Sequence, residues 1–497
     1  MVASGDTYAT DVGLAVLQRG GNAVDAAVAM SFVLSVTHSA MCGLGGGGNV
    51  LVRTRDGRFN FFDFREQAPA SASRDMFKDA NGQLTGESVT GWRAAATPGH
   101  VAGMSALHKQ HGQLPWRELL MPATVIAAQG HAVTWQRAES MRQSEALHAD
   151  PESTRVFLNN GKYLEPDELH RQPELAATLE RIANNGAEEF YLGETASKLA
   201  TAMSAHGGHV TLEDLRTFRV STPQPLRGSY RGFDVTTAAG SSSGGLGLLQ
   251  MLGLIETADL PAMGCGSATS IGVLVEAMRR SFADRAEYFG DPEFVSIPYE
   301  KLLSAKSGNT THYGVVDAAG NAVAATITLN MLYGSGVTVP GLGFLLNNNM
   351  DNFAANPGGA NQYGLVQGEA NAIAPRKRPA SSMTPTIVEK DGRLHMVIGT
   401  PGGPTIVSAV LQGIVNVIDF GHNAQQAINT PRVHHQWRPD VVFVEPGFSP
   451  DTLAILREKG YRVELRGSNN DMNLILAAGE WLEGAVDPRR EGKAAGY

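Results

Sequence analysis

A pair of threonines at the start of a predicted β hairpin is the feature of this sequence best suited to do chemistry. The stretch Asn309-Thr310-Thr311-His312-Tyr313 leads into the hairpin. A threonine hydroxyl is a weak nucleophile unless a base lies beside it. Cleavage of the chain before Thr310 would free an α-amine on that residue, and its pKa of about 7.7–8 leaves it partly neutral at pH 7. Spacing alone leaves Thr311 open as the nucleophile, and both threonines could equally be ordinary β-branched strand residues.

Three further segments offer groups that such a nucleophile needs. Thr400-Pro401-Gly402-Gly403-Pro404 joins a predicted strand to a predicted helix, where bare backbone can present N–H groups to an oxyanion. Asp63-Phe64-Arg65-Glu66 ends a predicted strand with an arginine that could bind a carboxylate through two N–H groups. Ser381 and Ser382 add two hydroxyls. Together these groups favour acyl transfer to a threonine.

Two glycine motifs and a histidine pair match familiar sites but lack their context. Gly43 to Gly48 matches the dinucleotide fingerprint G-x-G-x-x-G, yet a helix precedes it and a strand follows it, the reverse of the required order. Gly240 to Gly244 matches the nucleophile elbow G-x-S-x-G, without a strong parallel-sheet pattern around it. His434 and His435 would point to opposite faces of a strand, and no second metal-binding motif accompanies them. The sequence therefore predicts no metal and no cofactor.

The elements that must position these groups form a mixed pattern of helices and hairpins. Residues from about 99 to 300 are predicted to be mainly helical, and the chain past residue 310 is richer in strands. Outside the helical stretch, the predicted helices are 7–19, 22–36 and 405–419, and the predicted hairpins are 49–64, 313–329 and 386–398. Helices combined with antiparallel hairpins indicate a layered α+β fold.

Composition narrows the class of protein further. The chain has 497 residues, of which 42% are hydrophobic and 18% charged, so it can bury large cores and is not a disordered polymer. A net charge of −9 does not suit a nucleic-acid binder. Two cysteines make no disulfide scaffold. No apolar run is long enough to span a bilayer, and no signal-peptide pattern follows Met1, so we expect a cytoplasmic protein or one whose leader has been removed.

The motifs resemble those of the γ-glutamyltranspeptidase family, glutathione hydrolases of the N-terminal-nucleophile hydrolase superfamily. The resemblance covers nearly the whole chain, and the motifs stand in the family's order. The segments that carry it are Gly20 to Ala27, the glycines 45–48, Asp63 to Glu66, Ser242 to Gly245, Thr310 to Tyr313, Arg378-Pro379 with Ser381-Ser382, Pro401 to Gly403, and Ala495-Gly496-Tyr497.

The resemblance implies a fold and a maturation route. The fold would be a four-layer αββα sandwich of the N-terminal-nucleophile hydrolase type. One precursor would cut itself between Asn309 and Thr310. Residues 1–309 would then form the large-subunit region and residues 310–497 the small-subunit region, a heterodimer that shares one intertwined fold.

The resemblance also implies roles for individual residues. Thr310 would be the nucleophile, Thr328 would orient it, and Gly402 with Gly403 would form the oxyanion hole. The residues implied in substrate binding are Arg65, Ser381 and Ser382 for the α-carboxylate, then Asn330, Asn349, Asn352, and Tyr363 as the gate in a lid loop over residues 356–368. Thr310 would take the γ-glutamyl group from glutathione or a related amide and pass it to water, an amino acid or a peptide amine.

One substitution departs from the family pattern and opens an alternative activity. Asn352 stands where the family usually has an acidic residue that binds the donor's α-ammonium, and Asn349 stands where glutamine or glutamate is usual. Asp351 is one residue away and, on a strand, would face the other way. Losing this charge-assisted hydrogen bond would cost about 1.5–3 kcal/mol. The alternative is therefore an amidase for glutaryl-like or otherwise modified acyl groups, similar to the related cephalosporin acylases.

Two further departures concern maturation and location. Residues 302–309 are shorter than the polar segment that family precursors carry before the nucleophile, so a second alternative is an inactive, unprocessed binding homologue. Retention of Thr310, Thr328, Gly402, Gly403 and Arg65 speaks against that alternative. Bacterial members of the family mostly carry a signal peptide, so the resemblance implies a periplasmic or secreted enzyme.

Overall fold

A computed structural model of the chain describes residues 1–298, 311–468 and 470–497. Two six-stranded antiparallel sheets dominate this part of the chain. The strands are β1 (Val2–Ser4), β2 (Gly47–Arg53), β3 (Phe59–Asp63), β4 (His131–Ala132), β5 (Leu169–His170), β6 (Leu226–Tyr230), β7 (Phe233–Thr237), β8 (Thr311–Val316), β9 (Ala322–Thr328), β10 (Thr386–Lys390), β11 (Arg393–Gly399), β12 (Val433–His434), β13 (Val442–Val444), β14 (Val463–Leu465), β15 (Asn473–Ala478), β16 (Trp481–Val486) and β17 (Lys493–Ala495).

The two sheets stack face to face. The first has the strand order β17-β1-β8-β9-β2-β3, and the second has the order β16-β15-β11-β10-β7-β6. Leu51 and Phe61 of the first sheet pack with Val397 and Ile475 of the second in one dry layer. Because side chains alternate along a strand, the neighbours of Leu51 point to the outer face.

Helices cover both outer faces. They are α1 (Thr7–Gln18), α2 (Ala23–Thr37), α3 (His100–His111), α4 (Trp116–Gln129), α5 (Trp135–Gln143), α6 (Glu145–Ala149), α7 (Pro151–Phe157), α8 (Pro173–Asn185), α9 (Glu188–Leu192), α10 (Glu194–Ala205), α11 (Leu212–Thr217), α12 (Ser243–Ile255), α13 (Leu260–Met263), α14 (Ala268–Tyr288), α15 (Thr405–Ile418), α16 (Ala424–Asn429) and α17 (Pro450–Glu458). Helices α1, α2 and α3 pack on the first sheet, and α4 and α8 form a further layer outside α2. Helices α12 and α15 pack on the second sheet, and α14 lies against α12. The four-layer αββα arrangement is thus confirmed.

Local sequence explains why α2 begins at Ala23. Asn22 and Asp25 form a reciprocal capping box at the start of α2. All fifteen residues of α2 are buried, because it lies between the first sheet and the helices outside it. The predicted hairpins at β2–β3, β8–β9 and β10–β11 are all present. The mainly helical middle also contains β6 and β7, which join the second sheet.

Strands from the two ends of the chain interleave in the first sheet. Strand β8 lies between β1 and β9, and β1 also pairs with β17 near the C-terminus. Thr311, the first described residue of β8, pairs with Ile327 of β9. Residues before and after the predicted cleavage point therefore build the same sheet.

Candidate active site

The N-terminal end of β8 and the C-terminal end of β9 form the centre of the candidate site. The predicted cleavage residues Asn309 and Thr310 lie outside the described residues. Thr328 is the last residue of β9 and is buried. Its hydroxyl oxygen accepts a hydrogen bond of 2.7 Å from the backbone N–H of Asn330. A buried hydroxyl group is thus held at the C-terminal end of β9. Thr311, the first residue of β8, lies beside this strand end.

The glycine run between α2 and β2 allows backbone to approach this strand end. A Cβ at Gly46 would lie 2.0 Å from the carbonyl oxygen of Thr328, and one at Gly47 would lie 2.6 Å from that of Phe64. Only glycine permits such close contact between main chains. The glycine run at residues 43–48, which lacked the context of a nucleotide site, therefore packs the end of β9 against the segment that carries Arg65.

Asn330 links the strand end to the loop that is predicted to be the lid. Its backbone has a φ of 82°, in the left-handed region, where asparagine is tolerated better than most residues. The Tyr363 hydroxyl donates to Asn330 Oδ1 at 3.1 Å, and Asn330 Nδ2 donates to the carbonyl oxygen of Asn348 at 3.1 Å. The predicted gate residue and the predicted binding residue are thus in direct contact.

Arg65 follows β3 as a nearly isolated buried cation. Its side chain is 2% exposed, and its NH1 group donates to Glu66 Oε2 at 3.2 Å. Its Nε–H has no partner among the described residues. Burial lowers the pKa of Arg65 and raises the pKa of Glu66 to about 7, so the glutamate is a weak counter-charge at neutral pH. The guanidinium retains capacity to bind a carboxylate.

The two predicted serines lie in a loop that is tied to the Arg65 segment. Ser381 forms a parallel bridge with Ser242. The next residue back, Ser241, donates its backbone N–H to Asp63 Oδ2 at 2.8 Å. Ser382 is fully buried, and its hydroxyl has no hydrogen-bond partner in the described part of the chain. An unpaired buried donor is costly, and a bound substrate could satisfy it.

The segment with the unusual asparagines is a short 3-10 helix, Asn349–Asn352, and not a strand. In such a helix residues three apart lie on the same side. Asn352 Nδ2 accordingly donates to Asn349 Oδ1 at 2.7 Å, and Asn349 lies beside Glu66. We expected strand alternation to turn the Asp351 side chain away from that of Asn352, and this reason was wrong because the segment is not a strand. The two side chains point in different directions because adjacent residues of a 3-10 helix are a third of a turn apart.

Asp351 is itself a buried carboxyl group, and this predicts how stability responds to pH. Burial raises its pKa to about 7, and its Oδ2 has no partner among the described residues. A raised pKa favours the protonated folded state, so this contribution is complete below about pH 4 and is lost as the pH rises to about 7. Asp351→Asn removes this group, so it should stabilise the protein against unfolding more at high pH than at low pH. The gain in unfolding free energy over the wild type should be larger at pH 8 than at pH 4.5 by on the order of 1–3 kcal/mol.

Urea unfolding at the two pH values measures this difference. The matched control is Asp234→Asn, which changes an exposed carboxylate on β7 and should leave the pH response of the wild type intact. An Asp351→Asn protein with the same pH response as the wild type would contradict the prediction.

Gly402 and Gly403 directly precede Pro404, the N-cap residue of α15. Their φ values are 139° and 66°, both in the region that favours glycine. Asn470 Nδ2 donates to the carbonyl oxygen of Pro401 at 2.7 Å, and the Thr405 hydroxyl donates to that of Gly402 at 2.6 Å. Neither glycine N–H donates to another described residue. Two positioned donors at a helix N-terminus are suited to stabilise an oxyanion.

Sequence reasoning missed the asparagines that hold these loops. Asn470 fixes the Pro401 carbonyl, and Asn347 bonds the backbone of Gly45 and Ala96. Asn348 Oδ1 accepts from the backbone N–H of Met331 at 3.1 Å. A single asparagine in an irregular loop has no periodic signal, so only the fold reveals these roles.

The serine of the G-x-S-x-G motif and the two adjacent histidines form hydrogen bonds with other protein groups. The Ser242 hydroxyl caps α12 and donates to the Met383 carbonyl oxygen. His434 Nδ1 lies 2.9 Å from the Ser408 hydroxyl, and His435 Nε2 lies 2.9 Å from Asp440 Oδ1. The two histidines thus face different partners, as their adjacency in the chain indicated.

The chain is similar to known proteins along nearly its whole length. The family model described as gamma-glutamyltranspeptidase matches residues 9–309 and 304–497. A glutathione hydrolase proenzyme of Escherichia coli is 43% identical over 100% of this chain and 92% of its own length. An acylase ACY 1 proenzyme of a Pseudomonas species is 35% identical, covering 93% of this chain and 87% of its own. The crystal structure of a cephalosporin acylase from Bacillus halodurans superposes with a TM-score of 0.87 at 26% identity, covering 100% and 95% of the two chains.

Proposed function

Because the chain belongs to the gamma-glutamyltranspeptidase family, we propose that it is a γ-glutamyl hydrolase and transferase acting on glutathione and related γ-glutamyl amides. The observation that carries this function is that two sets of buried polar groups lack hydrogen-bond partners. The Nε–H of Arg65, the hydroxyl of Ser382 and the amides of Gly402 and Gly403 all lack partners among the described residues. They match an α-carboxylate and a developing oxyanion, the two negative charges that this reaction presents.

The nucleophile is proposed to be Thr310, which precedes Thr311 in the chain. Thr311 pairs with Ile327, the residue before Thr328. Thr328 thus directly follows the residue that lies opposite Thr311. The Thr328 hydroxyl would then lie within reach to orient the nucleophile. This supports the assignment of Thr310 over Thr311, whose own neighbours in β8 and β9 are buried.

The proposed reaction has two halves. The Thr310 hydroxyl oxygen attacks the γ-carbonyl carbon while its proton passes to the α-amine of the same residue. The amides of Gly402 and Gly403 stabilise the resulting oxyanion. Collapse breaks the amide bond, and the leaving amine takes the proton. Water or an acceptor amine then attacks the γ-glutamyl ester, and the Thr310 hydroxyl is released.

Maturation is proposed to separate residues 1–309 from residues 310–497. The proenzyme names of relatives support a two-subunit enzyme with small-molecule substrates. The interleaved strands of the first sheet would hold the two parts together after cleavage. Export to the periplasm or beyond the cell remains a proposal. Among the described residues, no helix combines the length and apolar character needed to cross a membrane.

A second candidate function, acylase activity on glutaryl-like donors, is favoured by one specific observation. The amide of Asn352 stands in place of the family's acid and is already bonded to Asn349. The likeness to the Bacillus halodurans cephalosporin acylase supports the same possibility. A donor without an α-ammonium would lose nothing at this position, whereas a γ-glutamyl donor lacks its usual carboxylate partner.

Asn352→Asp separates the two functions. The new carboxylate should raise kcat/KM for γ-glutamyl-p-nitroanilide by about tenfold to a hundredfold relative to glutaryl-p-nitroanilide, because an ion pair replaces a neutral contact. Initial rates on both anilides measure this ratio. Asn81→Asp, an exposed change in a surface loop, is the matched control. A wild-type preference for the glutaryl compound would contradict the first function, and an unchanged ratio in Asn352→Asp would show that position 352 does not select the donor.

A further inference from the structure

Arg285 is a buried cation without an anionic partner among the described residues. It lies on α14 and is 5% exposed, and its N–H groups at Nε and NH1 form no hydrogen bond with any described residue. Its NH2 group donates to the neutral Gln367 Oε1 at 3.4 Å. The other buried arginines all lie between 2.6 and 3.2 Å from a carboxylate oxygen, and they are Arg53, Arg65, Arg378 and Arg432.

The carboxylates close to Arg285 in the chain or in the fold are directed elsewhere. Asp284 accepts a hydrogen bond from another side chain, and Glu287 is exposed. Asp291 accepts from a backbone N–H, and Glu369, in the short helix that packs against α14, pairs with a different arginine. Burial lowers the pKa of Arg285 to about 10, which still leaves the guanidinium charged at pH 7. Within the described part of the chain, this positive charge is therefore uncompensated.

Two amide side chains connect Arg285 to the segment that carries Asn352. Gln367 lies near the end of the predicted lid loop, and its Nε2 donates to the Asn352 carbonyl oxygen at 3.2 Å. Asn371 Nδ2 donates to the same carbonyl oxygen at 2.7 Å and to Gln367 Oε1 at 2.6 Å. Arg285 thus lies one side chain behind the position that the resemblance assigns to the donor's α-ammonium group.

The groups around that position offer little negative charge to oppose Arg285. Asn349 and Asn352 are neutral and are bonded to each other. Glu66, beside Asn349, and Asp351 each have a pKa that burial raises to about 7, so neither is fully charged at neutral pH. Two like charges on the order of 10 Å apart in a partly buried site weaken binding by about tenfold. An ammonium group beside Asn352 would therefore be repelled by the buried guanidinium.

We propose that Arg285 is a specificity-determining residue, whose unpaired charge disfavours an α-ammonium group beside Asn352 and favours acyl donors that keep the carboxylate of a γ-glutamyl group without its amine. Glutaryl amides are donors of this class. The inference rests on the proposed donor site, in which Arg65 binds the carboxylate. It adds a repulsive element to the attraction that is missing at Asn352, and selectivity between two donors can arise from either.

Arg285→Met tests the proposal, because it removes the charge and keeps an unbranched side chain in the core. The ratio of kcat/KM for γ-glutamyl-p-nitroanilide to that for glutaryl-p-nitroanilide should rise by about threefold to tenfold, mostly through KM. The two donors differ only in the ammonium group. Arg285→Lys keeps a positive charge and should leave the ratio within about twofold of the wild type. Arg280→Met, an exposed change on the same helix, is the matched control.

Gln367→Glu tests the same charge while Arg285 stays in place. The new carboxylate would lie beside Arg285 NH2 and supply its missing counter-charge, so the ratio should rise in the same direction as in Arg285→Met. This variant keeps the proposal testable if Arg285→Met does not fold. A purely structural role of Arg285 would change the rates on both donors alike. An unchanged ratio in the folded variants of this pair would therefore overturn the proposal.

A wild type that hydrolyses neither anilide would contradict the proposed function and leave the charge of Arg285 to a binding experiment. Calorimetric titration with L-glutamate and with glutarate would then measure the same preference as a ratio of Kd values. Arg285→Met or Gln367→Glu should shift this ratio by about threefold to tenfold towards L-glutamate. Equal ratios in the wild type and the variants would overturn the inference.

Discussion

Replacing Thr310 with alanine is expected to abolish both cleavage of the chain and γ-glutamyl hydrolysis. In the proposed mechanism, the substitution removes the one hydroxyl oxygen that would attack both the donor and the preceding peptide bond. Loss of a nucleophile from a site with an oxyanion hole lowers kcat by about 10⁴-fold or more. Mass spectrometry of the purified protein should show one intact chain of 52.7 kDa, where the wild type shows two fragments.

Thr311→Ala is the matched control for this prediction, because it removes the neighbouring hydroxyl. Thr311 is buried in β8, so we expect a modest loss of stability with cleavage and turnover retained. Thr310→Ser should restore cleavage and part of the activity, since serine keeps a hydroxyl nucleophile. A Thr311→Ala protein that neither cleaves nor turns over, beside an active Thr310→Ala protein, would move the nucleophile to Thr311.

Replacing Arg65 with glutamine is expected to lower kcat/KM for γ-glutamyl-p-nitroanilide by about a hundredfold to a thousandfold, mostly through KM. Within the described part of the chain, the Nε–H of the buried guanidinium has no partner, and NH1 lies 3.2 Å from Glu66. The substrate's α-carboxylate would therefore lose its main charged partner. Arg65→Lys should recover only part of the loss, because an ammonium group cannot reproduce the two-pronged geometry.

A donor without the α-carboxylate distinguishes binding from misfolding. 4-Aminobutyryl-p-nitroanilide should be a poor substrate of the wild type, and Arg65→Gln should make it little worse. Arg53→Gln provides a matched structural control, because Arg53 is also buried and pairs with Glu389 at 2.7 Å, at the far end of β2. It should lower stability and leave KM unchanged. Equal loss on both donors in Arg65→Gln would contradict carboxylate recognition by Arg65.

Much of the fold could be predicted because its signals are local. The hairpin β8–β9 is marked by strand residues on either side of Asp317 to Asn321, and α15 begins just after a glycine pair. Such patterns depend on neighbours within a few residues, which the sequence contains directly. Order and spacing of motifs also identified the family, and with it the four-layer arrangement.

The site residues could be named from the sequence, but their surroundings could not. The Asp63 carboxylate meets the backbone of Ser241, 178 residues later, and Ser242 pairs with Ser381 across 139 residues. Contacts over such separations depend on how whole layers pack, and no local pattern encodes them. The 3-10 turn at Asn349–Asn352 is a local example of the same limit, since a run of asparagines favours neither strand nor helix.

The sequence by itself therefore determined the family, the layered α+β class and the residue types available for acyl transfer. The tertiary structure decided which of those groups are buried without partners among the described residues, namely the Nε–H of Arg65, the hydroxyl of Ser382 and the two glycine amides. The physical reason is that residue type and periodicity are properties of short segments. Burial, pKa shifts and unpaired donors arise only when distant segments exclude water together.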